Sequence, residues 1–279
     1  MVGYIFLSNR ARWWEKKLNI IITTKFKEYY IYEISNLNRR CVEKLRKLIK
    51  KDNIKHVACE EEIQQYVDKK ILIDEKDIIK YLILEILEYI FEIQGKKMEQ
   101  EDIYFLINKD EDIYLENIKT LSEKFKTTNI ITEEISKFQK IVENIFEEET
   151  TIYLSNNKRK SLRRAKYIVN FDYGIGEIEK YNINRTAILI NIEQNVKIES
   201  MAFEGISINN VNIQIPDELI EHFGRMMKKI NKNILYMSLV NQKQELARIK
   251  DRIKEDNIHI LNLIGDKGII SQEEFKRIP

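Results

Sequence analysis

From residue 102 onward, short unbroken apolar runs alternate with stretches whose apolar residues recur every three to four positions. "DIYFLI" (102–107), "NIIT" (129–132), "TIYL" (151–154), "YIVNF" (167–171) and "AILINI" (187–192) read as strands. Between them, 114–125 carries Leu115, Ile118, Leu121 and Phe125 on one helical face, and 135–147 carries Phe138, Ile141, Val142 and Ile145. "KRKSLRRAK" (158–166) predicts a third, short helix. Continuous apolar strands separated by helices are what a parallel sheet covered on both faces requires. The fold class expected here is therefore α/β, with a mostly parallel, doubly wound sheet.

The flanking regions carry weaker patterns. "LNIIITT" (18–24) and "EYYIYEI" (28–34) predict a hairpin, followed by a helix over 37–51 with Cys41, Val42, Leu45, Leu48 and Ile49 on one face. "IKHVACE" (54–60) reads as a strand and "EEIQQYVDKK" (61–70) as a helix, and the apolar helix over 77–94 ends at Gly95, a natural C-cap. Beyond 216, helices are expected from Asp217 to about Met227 and over 233–255; a turn at Gly265–Gly268 and a short helix follow. In the longer one Leu235, Leu239, Gln242, Leu246, Ile249 and Ile253 form a heptad-like seam, better suited to packing on the protein's own body than on a partner helix. These breaks divide the chain into an N-terminal α/β domain (1–98), the doubly wound domain (99–216) and a C-terminal helical segment (217–279) packing back.

Composition narrows the class. Hydrophobic residues make up 43% and charged residues 33%, a soluble globular balance, and a net charge of +2 gives no global field for nucleic acid or an anionic membrane. Cys41 and Cys59 are too few for a disulfide framework and read as buried thiols. "MVGYIFLS" lacks the basic leader of a signal peptide, and 78–93 falls short of a membrane span, with Glu85, Glu88 and Glu92 forming a polar stripe. A cytoplasmic protein without membrane contact is expected. His56, His222 and His259 show no metal-ligand spacing, so no metal site is expected.

"AKYIVNFD" (165–172), "AILINIE" (187–193) and "FEGISINNVNIQIP" (203–216), with the order of elements around them, resemble two-domain dehydrogenases of the shikimate dehydrogenase type and their methylenetetrahydrofolate dehydrogenase relatives. That resemblance implies an N-terminal α/β domain of about a hundred residues, a Rossmann domain, helices returning to the first domain, and NAD(P)-dependent oxidoreduction. One departure is sharp. The first Rossmann turn needs glycines so that the backbone can approach a pyrophosphate, yet "INKDEDIYLENI" (107–118) has none, and sets Asp110, Glu111 and Asp112 where the phosphates would lie. The acids suit capping of the helix itself. Nor does the family's Lys–Asp catalytic pair have a recognisable context in 1–98, so no catalytic residue is assigned.

Candidate binding residues cluster between 156 and 176. "NNKRKSLRRA" (156–165) resembles the stretch by which some dehydrogenases hold a 2′-phosphate, and Asn157, Lys158 and Arg159 follow a parallel strand, where small anionic ligands bind in open α/β sheets. A solvated basic helix explains the same residues and is the favoured reading. "NFDYGIGE" (170–177) places Asn170 and Asp172 at a strand end, followed by Gly174 and Gly176, which ask for a tight turn or a close ligand. Trp13 and Trp14 in "NRARWWEKK" are candidates for stacking on a base or a partner, with core packing the plainer alternative.

The reading favoured by these patterns is a divergent Rossmann-like protein that has lost the dinucleotide fingerprint, holds no cofactor, and acts as a binding, regulatory or scaffold protein. A protein partner or homo-oligomer is expected, with an apolar patch along Leu235–Ile253 as its mark. The alternative is an oxidoreductase with NADP or NAD held unusually, by Lys158, Arg159 and the Gly174–Gly176 turn. A nucleic-acid role is disfavoured by the near-neutral charge.

Overall fold

The computed structural model describes residues 1–145, 151–200, 202–240 and 246–278. The chain packs into two compact units that interleave along the sequence, Met1–Asp77 with Ile213–His259 and Ile78–Asn212 with Ile260–Pro279, whereas the sequence pattern divides it at 98 and 216.

The first unit holds strands β1 (Val2–Leu7), β2 (Ile21–Lys25), β3 (Tyr29–Ile34) and β4 (His56–Cys59) in the order β2-β3-β1-β4. β1 runs parallel to β3 and β4, and β2 closes the expected hairpin antiparallel to β3. Helix Arg39–Lys51 lays Cys41, Val42, Leu45 and Ile49 on this sheet, against a core that includes Ile5, Tyr32, Val57 and Ile63. Its N-cap is Asn38, whose side chain accepts from the Cys41 amide at 2.9 Å. β1, from a stretch to which the sequence pattern assigns no element, lies inside the sheet between β3 and β4.

The single helix expected over 233–255 is two helices among the described residues, Lys232–Val240 and Leu246–Glu255. Gln242 of the seam lies outside the described residues. Among the described residues of the seam, Leu235, Ile249 and Ile253 are buried, at 0%, 6% and 3% exposure, and so pack inward. Tyr4 and Ser238 share a buried hydrogen bond of 2.8 Å, and Tyr236 donates to Asp256 at 3.0 Å, so the late helices complete the first unit's core.

The second unit is built on an eight-stranded sheet. Its strands are β5 (Asp102–Leu106), β6 (Thr127–Ile131), β7 (Ile152–Ser155), β8 (Tyr167–Asn170), β9 (Ile188–Asn191), β10 (Ile206–Gln214), β11 (His259–Gly265) and β12 (Gly268–Ile269). The order is β12-β11-β10-β9-β8-β5-β6-β7. Neighbours from β7 to β10 all pair parallel, and β11 and β12 form an antiparallel hairpin around the expected turn. Counted along the chain, the six parallel strands stand in the order third, second, first, fourth, fifth, sixth, the arrangement of a doubly wound Rossmann sheet.

Both faces of this sheet are covered. Tyr104, Leu106, Ile168 and Leu189 pack on one side with Leu162 and Ile178; elsewhere Phe91 of helix Ile83–Gln94 stacks on Tyr167 at 4.5 Å and Tyr114 of helix Asp112–Ser122 on Phe171 at 4.5 Å. Gly95 caps its helix in the left-handed region at φ 63°. No helix among the described residues is long and apolar enough to cross a membrane.

Candidate functional site

β5 and β8 are adjacent parallel strands whose following loops depart to opposite sides of the sheet, since β5 leads to β6 and β8 leads to β9. The crevice outside their C-terminal ends is the topological switch point, where ligands bind in this class of sheet. Here the chain fills it with its own side chains. Asp172 accepts from the Asn108 amide at 2.9 and 3.0 Å, one bond to each carboxylate oxygen, and from the Lys109 amide at 2.6 Å. A carboxylate thus occupies the backbone donors of the first β–α turn, the donors that a pyrophosphate takes in dinucleotide-binding folds. Beside it, Lys109 Nζ reaches both oxygens of Glu193 at 2.6 and 2.7 Å, and the Tyr114 hydroxyl donates to the same carboxylate at 2.8 Å.

The turn is held from its other side too. Asn108 Oδ1 accepts from the Glu133 amide at 2.9 Å and from the Tyr173 hydroxyl at 3.1 Å. Behind the crevice a buried polar chain crosses the strand ends. Asn170 binds Tyr173 through both amide atoms and donates to Asn191 Oδ1 at 3.1 Å; Asn191 in turn donates to Ser207 Oγ and Asn209 Oδ1 at 3.0 Å each. These groups are buried and mutually satisfied, so they fix the loops instead of pointing donors at a ligand.

Of the predicted site residues, Asn170, Asp172 and Gly174 do meet at the switch point. Lys158 lies next to them but is only 6% exposed, ion-paired with Glu133 and set over the Tyr173 and Tyr181 rings at 4.7 and 5.7 Å. That cage already satisfies the cation that an anionic ligand would need. Asn157 caps the helix Lys158–Leu162 by accepting from the Lys160 amide at 3.1 Å. Arg159 faces away from Lys158, into an open groove of about 510 Å³ that it lines with Asn157, Lys160, Arg163 and Arg164. Gly174 is the N-cap of helix Ile175–Ile178 at φ −78°, and Gly176 lies inside it with nothing within 4 Å of an added Cβ. Neither glycine adopts a backbone that only glycine allows.

The acidic turn also differs from expectation. Glu111 is the N-cap of helix Asp112–Ser122 but makes no side-chain capping bond, and Asp110 pairs with Lys137 at 2.7 Å. The turn is closed by Asp172 from 60 residues away, not by its own acids. Asn108, Lys109, Tyr114, Glu133, Asn191 and Glu193 were not singled out from the sequence. The signal for them is the polar residue that ends almost every parallel strand, read as a set.

Electrostatics follow from this packing. Burial pushes the Asp172 carboxyl up, against the opposing pull of the Asn108 and Lys109 amides. The hydrogen bond to Glu193 raises Lys109, and burial followed by the same carboxylate raises the Tyr114 hydroxyl. With Asp172 and Glu193 against Lys109, the filled crevice is net negative and repels a phosphate. No cluster of metal-ligating side chains occurs among the described residues.

No protein-family model matches this sequence, and neither does any curated protein. Among solved structures the chain is similar to a shikimate 5-dehydrogenase from Listeria monocytogenes in complex with shikimate and NAD, with 11% identity over 68% of this chain and 77% of that one and a TM-score of 0.29. It is also similar to an L-tryptophan dehydrogenase from Nostoc punctiforme, with 10% identity, coverage of 100% and 86%, and a TM-score of 0.38. A D-isomer-specific 2-hydroxyacid dehydrogenase from Lactobacillus delbrueckii ssp. bulgaricus in its NAD-complexed form gives 8% identity, coverage of 92% and 95%, and a TM-score of 0.30. Scores this low carry no argument about residues or chemistry. The expectation that the chain holds no cofactor is nonetheless corrected, because two of these structures hold NAD. What stands is a two-part α/β chain whose larger sheet has the strand order of a Rossmann-type fold.

Proposed function

We propose that this chain is a divergent Rossmann-like binding or regulatory protein whose dinucleotide-class ligand enters the switch-point crevice only when Asp172 releases the Asn108 and Lys109 amides. The observation that supports this reading is the position of that carboxylate on the two donors a diphosphate would need. The oxidoreductase alternative asks more of the chain, since Lys158 would have to leave Glu133 and two tyrosine rings to meet a phosphate. Two free, buried thiols support a reducing compartment, the cytoplasm, as the place of action.

The test is thermal unfolding of the wild type and Asp172→Ala with NAD, NADP and their reduced forms. A ligand at a hundred times its dissociation constant stabilises by about 2.7 kcal/mol, and the midpoint rises by about 2–4 °C per kcal/mol. The shift is expected to be larger in Asp172→Ala than in the wild type. Absence of a shift in both proteins, with every cofactor, refutes the reading.

A further inference from the structure

Residues 10–27 carry six basic side chains, Arg10, Arg12, Lys16, Lys17, Lys25 and Lys27, against one acid, Glu15. All six are exposed. Large apolar groups stand among them: Trp13 is 75% exposed, Leu18 64%, Ile22 49% and Phe26 41%. The helix Trp13–Leu18 buries none of its residues, and β2, which follows it, is the edge strand of the first sheet. Trp14 and Leu18 lie four positions apart and so share a helical face, with Lys17 beside them.

This exposure is built into the fold. The Ile20 amide donates to Glu15 O at 3.1 Å, Ser35 Oγ to the same oxygen at 3.1 Å, and Asn36 Nδ2 to Lys16 O at 2.5 Å. The helix is thereby fastened by its backbone to the end of β3, with its aromatic and aliphatic side chains turned to solvent.

We propose that this face docks on an anionic lipid bilayer as a peripheral contact. The basic side chains meet lipid phosphates, while Trp13, Trp14, Leu18 and Ile22 enter the headgroup and acyl boundary. Charge complementarity selects an anionic surface. The aliphatic members select a bilayer over single-stranded nucleic acid, because stacking on bases employs the tryptophans but gives Leu18 and Ile22 nothing to enter. Lys16 and Lys17 have flexible stems that lie along the apolar boundary with their heads in the phosphate layer.

The sequence supplies its own reporter, because Trp13 and Trp14 are its two tryptophans. The full chain is mixed with phosphatidylcholine vesicles and with vesicles containing phosphatidylglycerol, and both sedimentation and tryptophan emission are followed at several salt concentrations. Binding and a blue shift are expected with phosphatidylglycerol alone, weakening as salt rises. Trp13→Ser/Leu18→Ser should bind at least about tenfold more weakly, because both apolar groups are lost from the bilayer. Lys16→Glu/Lys17→Glu should also weaken binding, whereas Arg159→Glu/Arg163→Glu, in the other basic groove, should leave it unchanged.

No sedimentation with phosphatidylglycerol overturns the proposal. So does binding that survives Trp13→Ser/Leu18→Ser, or is abolished by Arg159→Glu/Arg163→Glu. A blue shift that grows with protein concentration in the absence of lipid assigns the face to a second copy of the chain. Emission quenched by a single-stranded oligonucleotide without lipid binding assigns it to nucleic acid, and either result also overturns the proposal.

Discussion

Asn191 stands in the middle of the buried polar chain behind the crevice, and its replacement tests whether that chain holds the strand ends together. The side chain is 0% exposed. Its amide nitrogen donates to Ser207 Oγ and Asn209 Oδ1 at 3.0 Å each, and its oxygen accepts from Asn170 Nδ2 at 3.1 Å. Each partner keeps at least one other bond, among them Asn170 to Tyr173 O at 2.9 Å, Asn209 from the Val196 amide at 3.0 Å, and Ser207 to Val196 O. Alanine therefore loses these three bonds, and a longer one to Ile208 O at 3.3 Å, without fully orphaning any of the three side-chain partners, at about 1 kcal/mol for each of the three, or about 3 kcal/mol in all. At about 2–4 °C per kcal/mol the midpoint falls by about 6–12 °C.

Aspartate is nearer in size to asparagine but should be worse than alanine. It replaces a donor with a second acceptor facing Asn209 Oδ1, and it buries a charge without a cation. Its carboxyl pKa in the fold would be raised, so the deficit of Asn191→Asp should shrink as pH falls through that value and reappear toward neutrality. Thermal unfolding followed by far-ultraviolet circular dichroism at several pH values measures both effects. If Asn191→Asp matches Asn191→Ala at neutral pH, or if Asn191→Ala stays within about 0.5 kcal/mol of the wild type, the network is not what fixes the strand ends.

Three further outcomes are expected. Gly205→Ala should be among the most destabilising small substitutions, costing about 1–3 kcal/mol or more, because an added Cβ meets the Ala187 carbonyl oxygen at 2.1 Å and the Phe203 ring at 2.6 Å; Gly176→Ala, in open space inside a helix, should be neutral or gain about 0.5 kcal/mol, and paired unfolding curves decide. Cys41 and Cys59 are both buried, with the Cys59 thiol pushed up to about 12 by burial, so a thiol reagent should label them at the rate of unfolding, and labelling of the native protein within minutes would contradict this. The raised carboxyl of Asp172 contributes stability that is present below the unfolded carboxylate value and lost as pH rises through its folded one; Asp172→Asn should remove that pH-dependent component, as read from urea midpoints between acid and neutral pH.

Strands inside the sheet are legible because their buried positions run mostly apolar, and β5, β6, β7, β8 and β9 lie within two residues of where the pattern puts them. Strands with a solvated side hide better. β11 alternates exposed His259 and Leu261 with half-buried neighbours and passes for a loop. The site was legible only in halves. Asn170 and Asp172 stand out at a strand end, but their importance comes from Asn108, Lys109 and Asn191, which are 21 to 64 positions distant. Lys158 is indistinguishable by sequence from Arg159 and Lys160, and only the rings of Tyr173 and Tyr181 set it apart.

The interleaving of the two units has a consequence for synthesis. Residues Met1–Asp77 leave the ribosome early, but the core they belong to is completed by Ile213–His259, through the Tyr4–Ser238 bond and the helix Lys232–Val240 against β4. At about 5–20 residues per second, the intervening segment takes roughly 7–27 s to emerge. For that interval the four-stranded sheet stands half-covered while the second unit's parallel strands are still being made. A nascent chain stalled before residue 213 should therefore engage holding chaperones more strongly than one stalled after 259. In the cell, exposure of the early β-sheet would be set by translation speed through the middle of the gene and not by the stability of the finished fold.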